Sequence, residues 1–161
     1  MHKLIKITVA TIAICLAALQ AKAASTTDAI TNRALKRHIT RYALQYHVER
    51  EVLSCVLYVE SGYKVNTISN TEDYGSAQIN IKTIKMYNLS VVELLTNGEY
   101  NVRAAAEILG DYRRVFKAAE INDWPARYNI GYQSLRSGSI GALYMQYNKK
   151  VRSCISGGLG L

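Results

Sequence analysis

Residues 50–60, REVLSCVLYVE, constrain the fold more than any other stretch of this chain. Val52, Leu53, Cys55, Val56, Leu57 and Val59 leave little polar circumference on a helix, so the segment reads as a buried central helix. Ser61-Gly62 ends it, because glycine adopts the left-handed turn after a helix without a steric penalty. The last residue of the segment is Glu60, which helical spacing places on the face of Leu53, Val56 and Leu57. Apolar neighbours and the negative end of the helix dipole both favour the neutral carboxyl, so a raised pKa is expected there. A carboxylic acid held neutral near pH 7 is able to donate a proton. The competing reading is a solvated helix-end carboxylate, or one paired with an arginine.

Most other segments carry the helical period. From Asp28 to Tyr46, Ile30, Ala34, Ile39, Tyr42 and Tyr46 describe an amphipathic helix, capped by Asp28 or a nearby threonine. Residues 63–77 show no sustained period and are rich in Asn, Thr, Ser and Gly, which predicts a loop with turns. SVVELL opens with Ser90 and Glu93 in capping-box spacing. EYNVRAAAEILGDYRRVF predicts a long helix with Val102, Ala105, Ala106 and Leu109 on one side. A short helix fits between Pro125 and Gly131, and SIGALYMQYNKKVRSCI predicts a last helix that the glycines of SGGLG release. No stretch reads as a strand, a repeat or low complexity. The expected fold class is all-α, one compact domain over residues 24–161, since 161 residues at 49% apolar suffice for a single core.

Residues 1–23 read as a cleaved signal peptide, with basic MHKLIK, apolar ITVATIAICLAAL and an A-x-A ending at Ala21-Lys22-Ala23. The apolar run is short for a membrane span, and Ile14 before Cys15 does not suit a lipoprotein signal, so no permanent membrane anchor is expected. Loss of Lys3, Lys6 and Lys22 lowers the net charge from +8 to +5. A basic exported chain suits an anionic wall polymer. Its basic residues are scattered and form no nucleic-acid motif, which argues against a nucleic-acid partner. Cys55 and Cys154 remain, and an exported chain permits a disulfide between them, although Cys55 also reads as a small buried hydrophobe.

A set of short motifs comes after Glu60 in order: Ser61, then Ser69, then GSAQIN from Gly75, Asn101-Val102 opening a helix, ARYNIG, and YNKKV. This set resembles the lytic transglycosylases of the goose-lysozyme-like superfamily, over residues 40–152. The small exported size and the wording DYGSAQIN resemble the branch that serves type III or type IV secretion, conjugation and type IV pilus machines. The resemblance implies a compact lysozyme-like helical domain in the periplasm, acting on peptidoglycan with no cofactor and no metal. It implies that Glu60 is the catalytic acid/base for the MurNAc–GlcNAc β-1,4 bond, leaving a 1,6-anhydro end. Ser69, Gln78, Asn80, Tyr128 and Asn129 would line the substrate cleft, and Tyr147 would orient Glu60.

Each of these residues also has a plainer reading. Ser69 makes local turn bonds, Gln78 and Asn80 satisfy loop backbone, Tyr128 and Asn129 end a helix, and Tyr147 packs as tyrosines do. Asp73 departs from the family pattern. EDYGSAQIN also resembles animal-type lysozymes, in which that aspartate is the second carboxylate of a hydrolase. The preferred expectation is a turn residue accepting backbone N–H bonds, with hydrolytic muramidase chemistry the alternative. A wall-binding scaffold subunit without turnover is the alternative outside enzymes.

Overall fold

The computed structural model describes residues 31–117, 125, 128, 142–158 and 160. Packing divides the chain into two units, Met1–Ala34 and Leu35–Leu161. The first is described only over residues 31–34, which are helical, and all the other described residues belong to the second. The expected signal peptide over 1–23 and the Asp28 cap lie outside the described residues.

The elements in chain order are α1 (31–45), α2 (Arg50–Ser61), β1 (Asp73–Tyr74), β2 (Ile79–Asn80), α3 (Ile81–Met86), α4 (Val91–Thr96), α5 (Gly98–Lys117) and α6 (Ala142–Ser156). Helix dominates, as the apolar periodicity requires. Two expectations need correction. A two-stranded antiparallel ribbon pairs Asp73 with Asn80 and Tyr74 with Ile79, and Ile68 bridges to Tyr74. Strands of two residues are too short to show an alternating pattern, so sequence periodicity does not reveal them. Helix α3 is also additional to the sequence reading; it is one short turn-and-a-half, started by the Asn80 side chain accepting from Lys82 N–H at 3.1 Å.

Helix α2 is the centre of the core, packed against α5 and α6. Its Leu53, Val56 and Leu57 are fully buried, together with Ile39 of α1, Val102, Ala105 and Leu109 of α5, and Tyr144 and Val151 of α6. Removing such a side chain to alanine typically costs about 2–5 kcal/mol, because the cavity adds to the lost transfer energy. The α2 terminus obeys the sequence signal: Gly62 sits at φ +62°, its N–H bonding Tyr58 O, and Tyr63 N–H bonds Leu57 O. The buried face of α5 is wider than expected, taking in Ala104, Ile108 and Tyr112 as well, because α5 packs on both α2 and α4.

At α4 the capping box is half formed. Ser90 Oγ accepts from Glu93 N–H at 3.3 Å, but the Glu93 carboxylate takes a bond from Asn97 Nδ2 at 3.0 Å. The Ser90 N–H goes instead to the Tyr100 hydroxyl. Cys55 of α2 and Cys154 of α6 form a disulfide with Cα atoms 5.7 Å apart. By closing a long loop it contributes about 2–5 kcal/mol. The tail returns to the same place, with Gly160 against Ser54 and Cys55.

Candidate active site

Glu60 occupies the last turn of α2, half-buried, with the core behind it. Among the described residues it has no ion-pair partner. Burial raises its pKa from the ordinary 4.5 to about 7, and the negative charge of Asp73 pushes in the same direction. A bond from Tyr147 and the positive charge of Lys150 oppose that rise without cancelling it. At neutral pH such a group is divided between acid and base, the condition under which one carboxyl serves in both directions.

Tyr147 comes from α6, in a buried stripe with Tyr144, Val151 and Cys154 at helical spacing. The disulfide lies on the same stripe and clamps it to α2. The Tyr147 hydroxyl is buried and makes no hydrogen bond of regular geometry among the described residues. It nevertheless lies close enough to bond the Glu60 carboxylate, and burial and that negative charge hold its own pKa well up. The electrostatic coupling puts the two side chains close together, short of a hydrogen bond of regular geometry. Tyr128 stands in the same field: burial first, then Glu60, raises its pKa, and its hydroxyl donates to Ala77 O at 2.9 Å.

Three residues fix the GSAQIN loop. Ser61 Oγ donates to Ser76 O at 2.8 Å and accepts from Lys64 N–H at 3.0 Å, tying the end of α2 to the GSAQIN loop. Asn101, wholly buried at the start of α5, accepts from Ser76 N–H at 2.8 Å and donates to Leu94 O and to Asn97 O. Gly75 has φ +77°, and a Cβ there would stand 2.1 Å from Asn101 Oδ1 and 2.5 Å from Leu94 O. Only glycine fits that crossing.

The remaining candidates knit the hairpin together. Ser69 Oγ donates to Asp73 Oδ2 at 2.7 Å and accepts from the N–H groups of Thr71 and Asp73. Asp73 also accepts from Thr71 Oγ1, and from Asn80 Nδ2 at 2.8 Å. Asn80 further donates to Thr71 O while its oxygen caps α3. Gln78, at φ +47°, donates to Gly75 O at 2.9 Å and Thr67 O at 3.3 Å. So Glu60, Tyr128, Tyr147 and Asp73 come within one electrostatic neighbourhood, and Ser69, Gln78 and Asn80 make bonds inside the loop and hairpin. Asn129 lies outside the described residues.

Residues 37–150 match the model of a protein family described as the Transglycosylase SLT domain. The chain belongs to that family. No curated protein is matched. The SLT domain thus runs from α1 to Lys150 and includes Glu60, the hairpin and Tyr147, while Cys154 lies beyond it. Membership supports lytic transglycosylase activity on peptidoglycan in general, with the glycan as substrate. Among the described residues no three His, Cys, Asp or Glu side chains of the SLT domain form a metal-ligand group, and no helix is long and apolar enough to cross a membrane.

Three contributors to the SLT site were not singled out from the sequence. Lys150 is one helical turn beyond Tyr147, and its i, i+3 spacing from that tyrosine was the available signal. Asn101 entered only as part of a motif, and a polar residue on an otherwise apolar α5 face pointed to its buried role. Ser61 entered as a helix end and as part of the motif set, and nothing local marks its bond to a carbonyl fifteen residues away.

Proposed function

We propose that this protein is an exported lytic transglycosylase that cleaves the MurNAc–GlcNAc β-1,4 bond of peptidoglycan with Glu60 as its single acid/base. The observation that carries the reading is a half-buried carboxyl without an ion-pair partner among the described residues, its pKa raised to about 7 by burial. In the first step Glu60 donates its proton to the glycosidic oxygen as the C1–O bond breaks. The carboxylate so formed is stabilised by the Tyr147 hydroxyl and the Lys150 charge, the two influences that lower its pKa. It then takes the proton of the muramic C6 hydroxyl while O6 bonds to C1. The products are a 1,6-anhydro end and a Glu60 returned to its acid form, so no water is consumed.

Tyr128 is assigned to the cleft wall because it shares the Glu60 field. Ser69, Gln78, Asn80 and Asn129 are assigned to the sugar-facing loops, the first three by shaping them. Asp73 is assigned a structural role, since three side-chain donors already occupy its carboxylate, leaving it poorly placed to activate water. A periplasmic location suits the leader-like start and the disulfide, which persists in oxidising compartments. Local opening of the wall for a secretion, conjugation or pilus machine is the proposed setting, resting on the family resemblance of DYGSAQIN. The test is mass spectrometry of soluble products after residues 24–161, wild type and Glu60→Gln, digest purified sacculi. Anhydro-muropeptides from wild type alone are expected; reducing ends would move the chemistry to hydrolysis.

A further inference from the structure

The disulfide joins the two helices that carry Glu60 and Tyr147, and it does so close to both. Cys55 precedes Glu60 by five residues on α2, and Cys154 follows Tyr147 by seven on α6. At 1.5 Å per residue the bond stands roughly 7 to 10 Å along each helix from that pair. Cys154 lies outside residues 37–150, so membership of the SLT family does not account for the link. The position of α6 matters because the Tyr147 hydroxyl, buried without a hydrogen bond of regular geometry, is not held near Glu60 by a strong bond of its own. Lys149, Lys150 and Arg152 of α6 form no ion pair with a described residue, and the Arg152 guanidinium bonds Asn148 of the same helix. Apolar burial of Tyr147 and Val151 is non-directional and tolerates sliding, whereas an S–S bond fixes how far α6 lies along α2.

We infer that the Cys55–Cys154 bond positions Tyr147 and Lys150 beside Glu60, so that the enzyme is switched on by oxidation of this cysteine pair. The inference rests on the transglycosylase reading and adds its regulation. As the bond forms, the two thiols give up two electrons and two protons. A disulfide-bearing oxidant accepts them, its own S–S bond opening to two thiols. Both cysteines are then buried, 1% and 2% exposed, and a Cβ on Gly160 of the tail would stand 3.3 Å from Cys55 Sγ. Burial slows the access of a reductant to either sulfur, so the oxidised state persists once set.

The experiment reads the site with and without turnover. Carbon NMR of the Glu60 carboxyl gives its titration midpoint, and mass spectrometry of digested sacculi gives the rate of anhydro-product release. Both are measured on residues 24–161, oxidised and reduced with a dithiol, for wild type and Tyr147→Phe. In the oxidised protein Tyr147→Phe is expected to raise the midpoint, because the hydroxyl favours the Glu60 anion, and to slow release about tenfold. In the reduced protein, shown to be folded by near-ultraviolet circular dichroism, release is expected to be about 10- to 100-fold slower. Tyr147→Phe is expected to change neither quantity further there, since its partner is already displaced. A folded reduced enzyme that keeps its rate would overturn the inference, as would one in which Tyr147→Phe still moves the midpoint in full; the bond would then add stability alone. If the reduced chain unfolds, Cys55→Ala with Cys154→Val, which fills the buried space without the link, is judged by the same two results. If oxidised wild type releases no anhydro product, the catalytic reading fails, while the midpoints still decide whether the disulfide places Tyr147.

Discussion

Two carboxylates in one neighbourhood, Glu60 and Asp73, have been given opposite surroundings. Glu60 ends a buried helix, has no ion-pair partner among the described residues, and meets one loosely placed tyrosine hydroxyl. Asp73 sits in a hairpin where Ser69, Thr71 and Asn80 all donate to it. The contrast teaches how a fold separates proton chemistry from scaffolding. A carboxylate supplied with donors holds a turn in place. One deprived of them keeps its proton to neutral pH, at some expense in stability.

The sharpest way to break this contrast is Glu60→Gln. Anhydro-product release should fall about 100- to 10,000-fold, the usual scale of a positioned acid/base, as read by mass spectrometry of digested sacculi. The same variant has a second signature. With a folded pKa of about 7 against an ordinary 4.5, the native state holds a proton that the unfolded chain has released. Wild-type stability must therefore decline as pH rises from about 4.5 to about 7, whereas Glu60→Gln lacks that decline. Urea titrations at pH 5 and pH 8 should show the variant gaining about 1–3 kcal/mol on wild type at the higher pH. Equal slopes would mean that Glu60 is solvated and the contrast false.

Next in size is the clamp that holds the Tyr147 stripe to α2. Cys154→Ser, or reduction, should cost about 2–5 kcal/mol in urea unfolding. Asp73→Asn comes after it, at about 1–3 kcal/mol, because an amide presents a donor to groups that already donate. It should also move the alkaline limb of activity to lower pH, since the Asp73 charge helps to raise the Glu60 pKa. Loss of activity as deep as that of Glu60→Gln, in a folded Asp73→Asn protein, would restore the two-carboxylate hydrolase. Tyr147→Phe should have the smallest effect, about tenfold in rate. Its alkaline limb should move the other way, to higher pH, because the hydroxyl favours the Glu60 anion. Opposite shifts from two neighbours of one carboxyl are a stringent check on the site.

Much of this was legible in the sequence where the cause is local. The crowding of Val52 to Leu57 made α2 a buried helix, Gly62 stopped it, and the face shared with Leu53 and Val56 predicted a desolvated Glu60. The long α5 and the Ser90 cap of α4 came from the same rules of period and spacing. Other features depend on partners brought from elsewhere in the chain. Spacing could not show that Glu93 would turn to Asn97, leaving Ser90 N–H to Tyr100, because Tyr100 is brought in from the next helix, ten residues away. Nor could composition reveal a ribbon made of two-residue strands.

By itself the sequence determined a helical chain with an acid at the end of its most apolar helix, since helix period, capping and burial act within a few residues. The tertiary structure alone decided that Cys55 meets Cys154, that Tyr147 comes into the field of Glu60, that Asn101 and Gly75 set the GSAQIN loop, and that Asp73 is consumed by its donors. Those outcomes are fixed by the approach of distant segments, and hydrogen-bond satisfaction depends on distance and direction that no spacing along a chain specifies.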